Sequence, residues 1–297
     1  MIVWPHIPLK SKLLLPINNL QNITYTGDTS NWINSYDVYL PKDQSINTPL
    51  LIWIHGGAWV SGDKRDDSEF ASKLADLGIA TVVLNYRLSS SSNSIKYPDH
   101  ILDCFKGFSH VLNNKKQLNI NPDLIFLGGH SAGSQISSMM ALNANHYLPK
   151  NNHILDSVSK IKGVISLGGI FDLPLLYKQD YNYGKKFLNI AFNDDNSNKS
   201  NTTIWKQASP QFVSKKAIDT IHYSPLPQVL LINSIQDPLV HQNQSIHFQD
   251  KLNEIGFNTT LVNGEFGDHY AISNNLSVIQ QVATFITFVA KLKPKLI

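Results

Sequence analysis

Ser131 stands in Gly129-His130-Ser131-Ala132-Gly133, a G-x-S-x-G pattern whose glycines let a strand and the next helix approach closely while the serine is held at a strained turn. A serine hydroxyl attacks a carbonyl only when a base takes its proton and a third group orients that base. His269, in Gly267-Asp268-His269-Tyr270, is the candidate base, and Asp237, in Ser234-Ile235-Gln236-Asp237-Pro238, the candidate orienting acid. The negative oxygen of a tetrahedral intermediate also needs backbone N–H donors held ready. His55-Gly56-Gly57-Ala58-Trp59 offers a glycine-rich turn for this, with Gly57 and Ala58 the expected donors and Ala132, next to the serine, the third. Acyl transfer through a serine nucleophile is the chemistry this set can do.

Each of these residues has to be placed by a strand end. Short apolar runs alternate with longer amphipathic segments from about Tyr36 onward, the pattern of a mostly parallel sheet with helices on both faces. The expected strands are Ser35 to Tyr39, Leu50 to Ile54, Ala80 to Asn85, Leu124 to Leu127, Gly163 to Leu167, Val229 to Asn233 and Asn258 to Val262. The expected helices are Asp67 to Leu77, Pro98 to Asn113, Ala132 to Asn143, His241 to Glu254 and Ser277 to Leu292. Gly78 and Gly256 follow two of them, where glycine readily forms the left-handed cap. The glycine-rich turn, Ser131, Asp237 and His269 then all fall just past strands, on the side where open parallel sheets form sites. Among rival acids, Asp172 follows a strand one place too early and is expected to cap or pin a loop, while Asp268 and Glu265 are too close in sequence to reach round to His269. His55 and His130 are expected to hold their turns by hydrogen bonds.

Two segments break the alternation. Residues 1 to about 34, rich in Pro and Asn, read as an N-terminal arm over the sheet or the mouth of a site. Residues from Asp172 to about Ser214 mix aromatic side chains with the polar stretch Asn193-Asp194-Asp195-Asn196-Ser197-Asn198, and read as a small cap insertion with a mobile loop, core filling being the plainer alternative. No repeat or linker divides the 297 residues, so a single domain is expected.

Bulk properties narrow the classes further. A net charge of +3, with Lys and Arg scattered, is no nucleic-acid footprint. Cys104 is the single cysteine, so no intramolecular disulfide can form and a cytoplasmic setting is the expectation. No apolar run approaches the roughly 20 residues of a transmembrane helix, and no signal peptide is read in the proline-broken start. The histidines lack ligand spacing, so no metal is expected, and no phosphate-binding loop points to a cofactor. The expected partner is a small ester or amide, and oligomeric state is not legible.

With these motifs in place the chain resembles the α/β-hydrolase esterases that carry an HGG oxyanion motif, especially the arylformamidase (kynurenine formamidase)-like and small carboxylesterase branch. The resemblance rests on His55 to Trp59 with Gly62-Asp63-Lys64, Asn85-Tyr86-Arg87-Leu88, Tyr97-Pro98 with Asp103, the serine pentapeptide, Ile165 to Leu173 and Asp268-His269-Tyr270. It implies an α/β-hydrolase fold, a triad of Ser131, Asp237 and His269, and an Arg87–Asp103 ion pair that is structural. Ala58 departs from the narrower group, since kynurenine formamidases commonly carry a bulky aromatic there. The implied activity is hydrolysis of small to medium carboxylic esters or aryl amides through an acyl-enzyme. N-formylkynurenine hydrolysis is the first alternative and a non-catalytic ligand-binding relative the second.

Overall fold

Along Leu50–Ile54 successive side chains point to opposite faces, yet all five residues are buried, so both faces of this strand must be covered. Leu50, Ile52 and Ile54 join one core cluster with Phe105, Leu127 and Ile136. Leu51 and Trp53 join the other with Phe70, Leu74, Ile279 and Val282. A computed structural model of the chain describes residues 19–28, 32–150, 152–179, 181–192 and 202–292, with the backbone alone at 19, 181–185 and 202.

Eight strands form one sheet: β1 Asn19–Thr24, β2 Ser35–Tyr39, β3 Leu50–Ile54, β4 Ala80–Leu84, β5 Ile125–His130, β6 Ile161–Leu167, β7 Gln228–Ser234 and β8 Thr259–Gly264. Their spatial order is β1-β2-β4-β3-β5-β6-β7-β8. The pairs β1–β2 and β2–β4 are antiparallel and the remaining pairs parallel. This is the mostly parallel α/β-hydrolase sheet expected from the alternation. The helices are α1 Ser68–Asp76, α2 Asp99–Asn113, α3 Ala132–Leu142, α4 Ala144–Tyr147, α5 His153–Val158, α6 Leu173–Gln179, α7 Tyr181–Phe192, α8 Thr202–Gln207, α9 Lys215–Asp219, α10 Asn243–Glu254 and α11 Leu276–Val289. No described helix is long and apolar enough to cross a membrane.

The chain leaves β3 to one side for β4, then returns to add β5 on the other side of β3. Loops from the two adjacent strands therefore part at their carboxyl ends and leave a crevice there. All seven expected strands are present. The arm reading needs correction, because residues 19–24 extend the sheet as β1, paired with β2 and tied to it by Asn22 N–H donating to Asp37 Oδ1 at 2.7 Å. The rest of the arm, residues 1–18 and 29–31, lies outside the described residues, as does the polar stretch 193–198.

Candidate active site

β3 and β5 run side by side with Ile54 opposite Gly129, so the turns after them meet. Ser131 takes φ +53° and ψ −116°, a strained conformation for a residue with a Cβ, between the end of β5 and the first turn of α3. Its N–H donates to Leu167 O at 2.9 Å. The flanking glycines are required by close backbone approach. A Cβ on Gly133 would meet Ile54 O at 1.9 Å and His55 O at 2.7 Å, and one on Gly129 would meet the Gly133 carbonyl carbon at 2.4 Å. The serine turn and the glycine-rich turn are thus packed backbone on backbone.

The glycine-rich turn is left-handed at three successive positions, Gly57 at φ +106°, Ala58 at +52° and Trp59 at +63°. Two of these carry side chains, and the strain is held by neighbours. The buried Trp59 indole N–H donates to Gln135 Oε1 at 2.9 Å, Gln135 Nε2 donates to Ala208 O at 2.7 Å, and the Trp59 ring meets the edge of Phe192 at 4.7 Å. His55 stays inside the turn, its Nδ1 2.7 Å from Gly56 O and its ring stacked on Tyr86. Among the described residues, the N–H groups of Gly57, Ala58 and Ala132 have no hydrogen-bond acceptor. Gly57 and Ala58 line the cavity over Ser131, whereas Ala132 stands at the first position of α3 and does not.

Asp237 and His269 come from the loops after β7 and β8, which lie side by side. Asp237 Oδ2 is 2.6 Å from His269 Nδ1, and Asp237 Oδ1 accepts the N–H groups of Leu239 and Val240 at 2.8 and 2.9 Å. Burial pushes the Asp237 carboxyl up, but the hydrogen bond and charge of His269 with the two backbone donors more than offset this and hold it below the usual carboxylate range. The loops are cross-tied: Gly267 N–H donates to Gln236 Oε1 at 2.9 Å and Ser234 Oγ bonds Gly267 O. His130 clamps the base loop to the serine strand, with Nε2 donating to His269 O at 2.8 Å. Burial lowers the His130 pKa to about 3, so the ring acts as a neutral donor.

Of the rival acids, Asp268 Oδ1 accepts the N–H groups of Tyr270 and Ala271, and Asp172 Oδ1 accepts that of Leu175, so both pin their own loops. Arg87 and Asp103 form a two-pronged pair, Nε to Oδ2 at 2.6 Å and Nη2 to Oδ1 at 2.9 Å, joining the segment after β4 to α2.

Ser131 and His269 share a cavity of about 400 Å³. No hydrogen bond joins Ser131 Oγ to His269 among the described residues, and such contacts commonly tighten only with substrate bound. Phe187 of α7, one of the aromatic residues of the insertion, lines the cavity, as do residues that the sequence does not single out: Asp66 and Asp67 before α1, and Ser273 and Asn274 in the 3-10 turn Ala271–Asn274. Gly168, within the Ile165 to Leu173 match, packs against the Asp237–His269 pair. It has φ +51°, and a Cβ there would lie 3.4 Å from Asp237 Oδ2 and the His269 ring. Among the described residues of the insertion, Leu188, Ala191, Phe192 and Trp205 are buried in the core and Phe187 lines the cavity.

A sheet of this order, with a serine on a strained turn after a central strand and a histidine and acid past the last two strands, defines the class as an α/β-hydrolase. The chain belongs to the BD-FAE family, whose model matches residues 36–252. It is similar to the isoprenylcysteine alpha-carbonyl methylesterase of Arabidopsis thaliana, 29% identical over 232 residues, which are 77% of this chain and 52% of that protein. The chain thus spans about half the length of that relative. It is also similar to the kynurenine formamidase of Meyerozyma guilliermondii, 30% identical over 254 residues, 82% of this chain and 87% of that one. Among solved structures, esterase B of Lactobacillus rhamnosis superposes with a TM-score of 0.72 at 17% identity, covering 92% of this chain and 87% of that chain. A truncated carbohydrate esterase from gut microbiota gives 0.71 at 19% identity, covering 92% and 96%.

Proposed function

We propose that this protein is a serine hydrolase that cleaves small to medium carboxylic esters or aryl amides through an acyl-enzyme on Ser131. The observation that carries this reading is the 2.6 Å contact of Asp237 Oδ2 with His269 Nδ1 in a cavity that His269 shares with Ser131. With its Nδ1–H donated in a hydrogen bond to the ionised Asp237, His269 keeps a lone pair on Nε2 to accept the serine proton. Ser131 Oγ then bonds to the substrate carbonyl carbon, and the oxyanion is held by N–H groups from Gly57, Ala58 and Ala132. Return of the proton from His269 to the leaving oxygen or nitrogen expels it and leaves the acyl-serine. Water, deprotonated by His269, attacks the acyl carbon, and collapse of the second tetrahedral intermediate releases the acid and restores Ser131.

A narrower reading, hydrolysis of N-formylkynurenine, is favoured by the formamidase relative that matches over 87% of its own length. Both are tested with a fluorophosphonate probe, p-nitrophenyl acetate and butyrate, and N-formylkynurenine. Labelling and ester turnover in the wild type, with both lost in a folded Ser131→Ala protein by at least about 10³-fold, are expected. A wild type that neither labels nor turns over overturns the enzymatic reading in favour of a non-catalytic binder, and a formamide rate at background removes the narrower one.

A further inference from the structure

The N–H groups of Gly57, Ala58 and Ala132 come from two separate segments of chain, and an oxyanion needs them at fixed distances from one another. Within the first segment the directions are set locally. Gly56 O lies 2.7 Å from His55 Nδ1, and Gly57 O accepts the N–H groups of Val60 and Ser61 at 3.1 and 3.0 Å. A trans peptide is planar, so each carbonyl held in this way turns the next N–H, of Gly57 and of Ala58, in the opposite direction. Left-handed backbone at Ala58 and Trp59 is unfavourable and persists only where the surroundings over-determine it.

One side chain spans the two segments. Gln135 lies in the first turn of α3 and is 1% exposed. Its own N–H donates to Ser131 O at 3.4 Å, so its backbone belongs to the serine turn. Its side chain belongs to the glycine-rich turn, because Oε1 accepts the indole N–H of the fully buried Trp59 at 2.9 Å. The other end of the amide, Nε2, donates at 2.7 Å to Ala208 O, just past α8 in the insertion. An indole only donates and a carbonyl only accepts, so the site needs an amide with both ends free to bond; a carboxylate lacks the donor and an aliphatic chain lacks both groups.

We propose that Gln135 is a positioning residue for the oxyanion: by fixing Trp59 against α3 it holds the Gly57 and Ala58 N–H groups at the distance from Ala132 N–H that a tetrahedral intermediate on Ser131 requires. This role rests on the hydrolytic reading above. The intact ester carries no full negative charge on its carbonyl oxygen, so loosening the donors weakens the transition state more than the bound substrate.

Two variants test it. Gln135→Met keeps a side chain of similar volume and removes both bonds, and Trp59→Phe keeps a ring and removes the indole donor. Each is assayed with p-nitrophenyl acetate, per site titrated to completion with the fluorophosphonate probe, and with trifluoroacetone as inhibitor. Ser131 Oγ adds to that ketone, its proton passing to His269, and the hemiketal carries the negative oxygen. Gln135→Met should lower kcat by about 30-fold, short of the 10² to 10³ that loss of a whole donor costs, with KM within about twofold. Trifluoroacetone inhibition should weaken by the same factor. Trp59→Phe should lower kcat by about tenfold, and the double variant should lose no more than the larger single, because both changes break the same bond. A folded Gln135→Met with kcat within about threefold of wild type, a lower kcat with inhibition unchanged, or losses that multiply in the double variant overturns the role and leaves the hydrolytic reading standing. If Gln135→Met does not fold, Trp59→Phe carries the same comparison of kcat with inhibition. A wild type that neither labels nor turns over overturns the hydrolytic reading and this role with it.

Discussion

Two carboxyls serve the same cavity under opposite conditions. Asp237 stands behind His269, where a ring nitrogen and two backbone N–H groups hold its charge and keep its pKa below the usual range. Asp67 forms part of the cavity wall, where burial, opposed by the Trp53 indole N–H alone, raises its pKa to about 7. The difference separates two uses of a buried acid. A carboxylate with several donors stays charged and fixes a neighbour in one orientation, whereas a buried one with a single donor keeps its proton to a higher pH.

The comparison breaks most decisively at Asp237. Asp237→Asn should lower kcat for p-nitrophenyl acetate by about 10³ to 10⁴, because an amide no longer selects the Nδ1–H tautomer of His269; a loss below tenfold would place the orienting role elsewhere. In the wild type the sign of linkage follows from the lowered pKa. The stability that Asp237 contributes is present above the unfolded value of about 3.9 and is lost as pH falls through the folded value.

A second expectation concerns the frame common to both carboxyls. Gly133→Ala should destabilise the protein by about 3 kcal/mol or more, since its Cβ would overlap Ile54 O, and a thermal melt within a degree of wild type would contradict the packing described.

At Asp67 the sign reverses. Between about 4 and about 7 the native state keeps a proton that the unfolded chain has released, so stability falls as pH rises through that window. Asp67→Asn removes the cost and should be more stable than wild type by about 2 kcal/mol at pH 8, with the gap closing toward pH 4. Denaturant titrations at pH 8 and pH 5 measure it, and a variant less stable at pH 8 would show that the Trp53 contact outweighs the cost of burial.

The smallest effect belongs to the insertion. Phe187→Ala, at a half-buried position, should change kcat/KM by less than about tenfold and shift preference from acetyl toward bulkier acyl esters, with little change in melting temperature. Equal rates for acetyl and butyryl esters before and after the change would detach α7 from selectivity.

The residues of the Asp237–His269 pair were legible because each sits a few positions past an apolar run whose end can be read from local pattern. The serine turn was legible for the same reason, its glycines having only a few structural uses. The Asp66–Asp67 wall was not. Two acids ahead of an amphipathic run look like an ordinary helix start, and they reach the cavity only because the 3-10 turn Ala271–Asn274, some 200 residues later, lines it with them. Phe187 was hidden among aromatic residues whose burial follows from packing between distant helices, and β1 among polar residues that pair at a sheet edge with little hydrophobic signal.

The contact of Gly133 with the carbonyls of Ile54 and His55 divides the cavity into a part that variation cannot reach and a part that it can. Libraries built at 187, 270, 273 and 274 would draw on the second part alone and leave the packed backbone of the serine turn unchanged.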